Sequence, residues 1–438
     1  MVNSISKSTK LKLPPIPRWM KLDNAATIYP ATASRKLAAM FRFSITLTED
    51  VDLDTLAIAL DTVLKRFPSF SYQLRQGLFW CYFNRIDGVP AIQQDVGNPM
   101  VRINWEENKL FMFRVRYYQK RIAAEFFHAL TDGTGGITFL LSLTAEYIRL
   151  KHGCKINYSD KILDPQVPPV PEEYEDSFYR YARSVGAMEH EKAAYHVPGT
   201  VEPEHILNII TGKIPAKDLK GVAKKYNCTI TMLLASIMVL AIQEIQKDDP
   251  SSIRRKKPIK ISIPINLRKI YPSVTLRNFA SYVNVSIESK LGIYNLEEVI
   301  TQIKSQMDMM ITEKRLNSKI TGNVRAAKNL FVRCIPMVIK KHILSIGERI
   351  MGDRYCSSTL SNIGNITLPD EMAHYVTELN FLLGRSRGKP GSVSCVSYKD
   401  TLYITFTRKI READTEKHFF RTLVEMGIPV EIESNQWG

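Results

Sequence analysis

The stretch Phe126-Phe127-His128-Ala129-Leu130-Thr131-Asp132-Gly133-Thr134-Gly135-Gly136 constrains this chain more than any other. Ahead of it, the run from Ile122 to Phe127 has the length and apolar content of a short strand. Behind it, Ile137 to Leu150 is Leu-rich and long enough for a helix. Between them three glycines let the backbone turn sharply. His128 thus stands where a buried strand meets a glycine-rich turn, with a carboxylate four residues on. An imidazole titrates near neutral pH, so there it can take a proton from a hydroxyl, amine or thiol and return it to a leaving group. The same spacing also suits a structural histidine, and the glycine N–H groups could cradle a phosphate.

On either side of this stretch the chain alternates helix and strand. Leu37 to Leu47 suits a strand, and Val51 to Leu64 an amphipathic helix that starts at an acidic cap and stops at Arg66-Phe67-Pro68. Pro14, Pro15 and Pro17 exclude a helix from the leading segment. A strand from Phe70 to Leu74 follows. Phe111 to Tyr118 and Arg121 to Phe127 form a hairpin that delivers His128. The Pro-rich stretch Asp164 to Glu173 reads as a linker. Beyond it the pattern resumes: strand Ile206 to Ile210, helix Lys213 to Tyr226, and an apolar helix Thr229 to Ile245. Strands follow at Ile259 to Ile263 and Phe279 to Ile287, then two helical tracts within Leu296 to Ile350. Strands at Ser357 to Ser361, Val393 to Val396 and Leu402 to Thr407, and a helix near Ala413 to Met426, close the chain. Two α/β domains, 1–175 and 176–438, are expected.

Charge and composition narrow the functional classes. The formal charge of +16 favours anionic partners, but Arg254-Arg255-Lys256-Lys257 is the one dense basic cluster. No zinc-finger, basic-zipper or RNA-binding-sheet motif accompanies it, so nucleic acid is not an expected partner. The six cysteines are far apart, which suits buried free thiols in a reducing compartment better than zinc or a disulfide scaffold. The remaining histidines, His190 and His342 among them, form no His-x-x-x-His pair. Thr138 breaks the dinucleotide fingerprint, and no Gly-x-Ser-x-Gly elbow occurs. Met1 to Pro15 lacks the apolar core of a signal peptide, and Thr229 to Ala241 is shorter than the ~20 residues that span a bilayer. A cytoplasmic protein without stable membrane insertion is expected.

His128-x-x-x-Asp132-Gly133 after a strand resembles the signature of the CoA-dependent acyltransferase superfamily, which includes chloramphenicol acetyltransferase, alcohol acetyltransferases and peptide-synthetase condensation domains. Phe127 stands where the paired-His form has its first histidine; the second is the family's base, so His128 keeps that place. The Arg66-Phe67-Pro68 helix end, the apolar helix from Thr229 and Thr359-Leu360-Ser361-Asn362-Ile363-Gly364 resemble further family segments. The plant Asp-Phe-Gly-Trp-Gly pattern is absent. The resemblance implies an α/β (α+β) fold of two similar chloramphenicol acetyltransferase-like domains, each a mixed sheet packed with helices, with an active-site tunnel between them. It implies a structural ion pair between Asp132 and an arginine in Pro264-Ile265-Asn266-Leu267-Arg268 or Leu276-Arg277-Asn278; Arg268 is the expected partner and Arg277 the alternative.

By that resemblance the reaction is acyl transfer from acyl-CoA, acetyl-CoA first, to an alcohol, with His128 as base and Ser361 and Asn362 as candidate oxyanion donors. Asp132 fixes the loop. Acyl-CoA is a co-substrate, with no bound cofactor and no metal. An amine acceptor, an acyl carrier protein as donor, or a non-catalytic binding module of the same fold are the alternatives.

Overall fold

In the computed structural model, which describes residues 16–32, 39–185, 191–340, 353–386 and 388–436, the strand ending at His128 is the middle one of a five-stranded sheet. In chain order the first half comprises β1 (Trp19–Lys21), β2 (Met40–Leu47), α1 (Leu53–Arg66), β3 (Tyr72–Gln76), β4 (Cys81–Arg85), β5 (Ile92–Gln94), β6 (Phe113–Tyr118), β7 (Arg121–Phe127) and α2 (Gly133–His152). The second half follows with β8 (Asn208–Pro215), α3 (Ala216–Lys225), α4 (Ile230–Lys247), β9 (Ile259–Asn266), β10 (Ala280–Ile287), α5 (Leu296–Met310) and α6 (Glu313–Lys328). It is completed by β11 (Ser358–Ile366), β12 (Val376–Leu383), β13 (Gly391–Tyr398), β14 (Thr401–Arg408), α7 (Asp414–Glu425) and β15 (Glu431–Ser434).

Local chemistry sets the helix ends. Asp52 accepts from the Thr55 N–H at the start of α1, and Leu56, Leu60 and Val63 bury one face. The helix stops at Phe67 because Pro68 has no N–H to continue it. Thr229 caps α4 through the Met232 N–H. At 18 residues α4 is apolar and long enough by composition to cross a membrane, but its buried side chains pack in the core of the second half. Phe70, Phe113, Phe126 and Phe139 form the centre of the first core, ring centroids 4.9–6.1 Å apart. Each such burial contributes about 1.5–3 kcal/mol.

Several elements differ from expectation for identifiable reasons. Pro68–Phe70 is a 3-10 turn, so the next strand starts at Tyr72. The strand expected at 206–210 runs from Asn208 through Lys213 to Pro215, and the helix begins after it. Residues 14, 15, 37, 38, 190 and 342, and the end of the tract drawn to Ile350, lie outside the described residues. β12 and β15 were not expected. β12 leaves the second half and pairs antiparallel with β2, completing the first half's sheet in the order β12-β2-β7-β6-β5. The other large sheet has seven strands, β10-β9-β11-β13-β14-β8-β15, with β11 parallel to both its neighbours.

The joint and the cysteines add detail to the expectation. The 164–173 stretch is fastened at its end: Glu173, at a 3-10 turn, receives Arg66 in a buried pair (Nη2 to Oε1 2.7 Å). Its carbonyl accepts from the Leu276 N–H, which ties the joint to both halves. Of the six free cysteines, only Cys356 and Cys395 are buried; Cys334 is exposed and the others are partly so.

Candidate active site

His128 leaves the end of β7 at the seam between the halves. Its backbone N–H donates to the Ala39 carbonyl (2.9 Å), and Ala39 holds a left-handed φ of 45°. The residues that follow are tied down at once. The Thr131 hydroxyl donates to the Leu276 carbonyl across the seam (2.6 Å). The Asp132 side chain caps α2 through Oδ1, accepting from Thr134 and Gly135 N–H groups at 3.0 and 3.2 Å.

The glycines serve close approach rather than a sharp turn, since none of Gly133, Gly135 and Gly136 has a positive φ. A Cβ on Gly135 would stand 2.2 Å from the Leu276 carbonyl oxygen, and one on Gly136 2.7 Å from the Phe41 ring. The Thr134 and Gly135 N–H groups already bind Asp132, so the loop is not an open phosphate cradle.

Asp132 Oδ2 faces the second half. It accepts from Arg268 Nη1 (2.7 Å) and the Phe279 N–H (2.8 Å). Arg268 also donates to the Thr275 and Arg277 carbonyls, so one guanidinium holds the 275–279 loop against the His128 turn. Arg277 does not reach Asp132. It is buried elsewhere, donating to the Lys21 carbonyl (2.7 Å) beside Asp23.

The loop so held places Asn278 against the imidazole. Asn278 Oδ1 lies 3.2 Å from His128 Nδ1, while Nδ2 donates to Asp23 Oδ2 (3.3 Å) and the Ala129 carbonyl (3.4 Å). Both amide hydrogens thus point away from the ring, and Oδ1 accepts the Nδ1 proton. Nε2 is then the nitrogen with the free lone pair. Tyr29 stacks on the ring (4.7 Å, 14°) and Phe41 meets it edge-on (5.0 Å). Burial pushes the His128 pKa below its ordinary value, opposed by its own backbone, Asp132, Asn278 and Asp23. Burial also raises the Asp23 pKa, and lifts Asp176 nearby to about 7 with help from the Asp23 charge.

The two oxyanion candidates separate by strand alternation on β11. Asn362 pairs in register with core residue Cys395, and its amide is engaged by the Thr231 hydroxyl (3.1 Å) and the Gly364 N–H (2.8 Å). Ser361 lies on the opposite face with its register partner Ser394, whose hydroxyl reaches the β12 carbonyl of Phe381. That face looks towards the first half's sheet. One residue past Asn362, the Ile363 side chain stands over Gly133, which brings β11 alongside the start of α2. Phe127 is core, buried and packed edge-on against Trp105 (5.6 Å).

Asn278, Asp23 and Tyr29 had no assigned role in the sequence. The available signals were an aspartate beside Leu22 and an asparagine two residues after Leu276.

No family model matches the sequence, and no curated relative does. Solved structures do match over nearly the whole chain. The polyketide synthase associated protein 5 of Mycobacterium tuberculosis is 14% identical, with a TM-score of 0.61 over 93% of this chain and 98% of that one. A trichothecene 15-O-acetyltransferase of Fusarium sporotrichioides is 13% identical, TM-score 0.60, over 95% and 99%. The starter condensation domain of rhizomide synthetase, solved with C8-CoA, is 11% identical, TM-score 0.59, over 93% and 94%. The chain therefore has the two-domain, chloramphenicol acetyltransferase-like α/β fold that these structures share.

Proposed function

We propose that the protein transfers an acyl group from acyl-CoA to an alcohol, with His128 as general base. The observation that carries this is the Asn278 carbonyl oxygen on Nδ1, which leaves Nε2 of a neutral, shielded imidazole to take a proton. Nε2 removes the acceptor's hydroxyl proton as its oxygen attacks the thioester carbonyl. Collapse of the tetrahedral adduct breaks the C–S bond, and the proton passes to the departing thiolate. Ser361, on the face turned to the first half, is the assigned oxyanion donor ahead of Asn362. Asp132 and Arg268 keep the loop in register and do not touch the reacting atoms. Likeness of fold to a structure solved with C8-CoA, and to an O-acetyltransferase, supports the donor and the reaction class.

The test is thiol release from acetyl-CoA and longer acyl-CoA donors against short alcohols, long alcohols and amines. Release that needs an alcohol and His128 is the expected result. Turnover with amines alone would reject the alcohol. The shared fold of a starter condensation domain supports a second reading, in which a carrier protein presents the thioester; turnover with a carrier-bound donor but not with acyl-CoA would select it.

A further inference from the structure

We propose that the surface formed by β1, the β3–β4 hairpin and the 330–340 segment docks on anionic lipid bilayers. This inference is independent of the reaction assigned above.

Three separate stretches of sequence meet there. β1 pairs with β4, Trp19 opposite Asn84 and Lys21 opposite Tyr82, and β4 pairs with β3. The 330–340 segment is joined to the tip of that hairpin: the Met337 N–H donates to the Leu78 carbonyl (2.7 Å) and Lys340 Nζ to the Phe79 carbonyl (2.8 Å). Asn24, just past β1, donates to the Asn323 carbonyl of α6 (3.3 Å), which closes the ring of contacts.

This surface keeps large apolar side chains in solvent. Phe331 is 87% exposed, Leu330 72%, Leu78 71%, Trp19 58% and Trp80 52%. Singly, such residues are ordinary; clustered on neighbouring elements they mark an interaction face. The charges beside them have one sign. Residues 16–22 hold two basic residues, 71–86 two, Arg75 among them, and 325–340 four, including Lys328 and Arg333, and none of the three stretches contains an aspartate or glutamate.

Lipid fits better than an acidic protein. Tryptophan has an apolar body and a polar N–H, which suits the headgroup boundary of a bilayer. Basic side chains interleaved with the apolar ones can lay their stems along them and lift their charges to lipid phosphates. The projecting residues come from a hairpin tip and a separate segment, as shallow insertion requires.

The experiment is flotation of the full-length protein with vesicles of phosphatidylcholine alone and with about 30% phosphatidylserine, at low and high salt. Binding to the anionic vesicles, weakened by salt, is expected, with a blue shift of tryptophan emission. Arg75→Gln with Arg333→Gln should weaken binding about 25-fold, or fivefold for each charge. Leu78→Ser with Phe331→Ser should abolish the blue shift while melting stays unchanged. Failure of the unaltered protein to bind anionic vesicles at low salt overturns the proposal. So does equal binding by both double variants. Binding to polyglutamate but not to vesicles would overturn it too, and would assign the face to an acidic protein.

Discussion

Asn278 presents its carbonyl oxygen to Nδ1 of His128 at 3.2 Å because its amide nitrogen is held on the other side by Asp23 and Ala129. The orientation of one asparagine thus sets the tautomer of the histidine, and a buried aspartate sets the asparagine. Residues 23, 128 and 278 come from the leading segment, the β7 turn and the loop ahead of β10, so this arrangement is complete only when both halves are packed.

Nitrogen-15 NMR of the labelled protein at alkaline pH checks this directly. Nδ1 of His128 is expected to carry the proton and Nε2 to be bare. Asp23→Asn would let the Asn278 amide turn over and donate to Nδ1. The expected result is a mixed tautomer and a kcat about tenfold lower at nearly unchanged KM. An unmixed tautomer in a folded Asp23→Asn protein would break the link between Asp23 and the imidazole.

His128→Ala is expected to lower kcat by about 10²–10⁴-fold with little change in melting. Burial lowers the His128 pKa, so the imidazole is neutral through the neutral range. The acid limb of kcat/KM should therefore titrate below the ordinary histidine value of about 6.5. A limb above that value would mean that the observed base is not this buried imidazole.

Asp132 accepts two helix N–H groups, an arginine and the Phe279 N–H with its two oxygens. Asp132→Ala strands the buried Arg268 charge and unties α2 from the second half at one stroke. A loss of roughly 3–5 kcal/mol is expected from chemical denaturation, with activity falling in parallel. Full stability with lost activity would instead give Asp132 a direct part in the chemistry.

Local chemistry made much of this legible in sequence. Asp52 and Thr229 were readable as caps, and the β6–β7 hairpin and α2 follow from apolar pattern alone. The resemblance implies Arg268 as the partner of Asp132, and the two pair at 2.7 Å. What sequence hid was non-local. Asn278 is 150 residues from His128 and 255 from Asp23. Glu125, in the middle of an apolar-looking strand, is buried because Arg42 and Arg114 converge on it at 2.9 and 2.6 Å. β12 carries no clean alternation, since it pairs with β2 and also packs against β13, with apolar neighbours on both sides. The glycine loop invited a turn or phosphate reading because the carbonyl that needs its missing Cβ comes from Leu276.

The last prediction concerns Asp176, whose carboxyl is pushed up to about 7 by burial and then by the neighbouring Asp23 charge, against the pull of Arg277. A carboxyl raised in the folded state binds its proton more tightly there than in the unfolded chain. Its contribution to stability is therefore full below the unfolded pKa of about 4 and is lost as pH rises towards 7. The whole effect is at most about 4 kcal/mol. Asp23, also raised by burial, acts with the same sign. His128, lowered by burial, has the opposite sign and loses stability as pH falls below about 6.5, while Asp95, held near 2, titrates outside this window. Comparing the protein with Asp176→Asn cancels the His128 and Asp95 contributions and leaves that of the coupled Asp23–Asp176 pair. Between pH 5 and 8 the unaltered protein should lose melting temperature relative to the variant, whose amide carries no charge at either pH. Asn24 and Phe178 donate their backbone N–H groups to the two Asp176 oxygens, and the variant retains one acceptor for them, so a small pH-independent loss is expected as well. Parallel melting curves across that range would mean that Asp176 titrates as an ordinary carboxylate and that the seam beside His128 is wetter than its burial indicates.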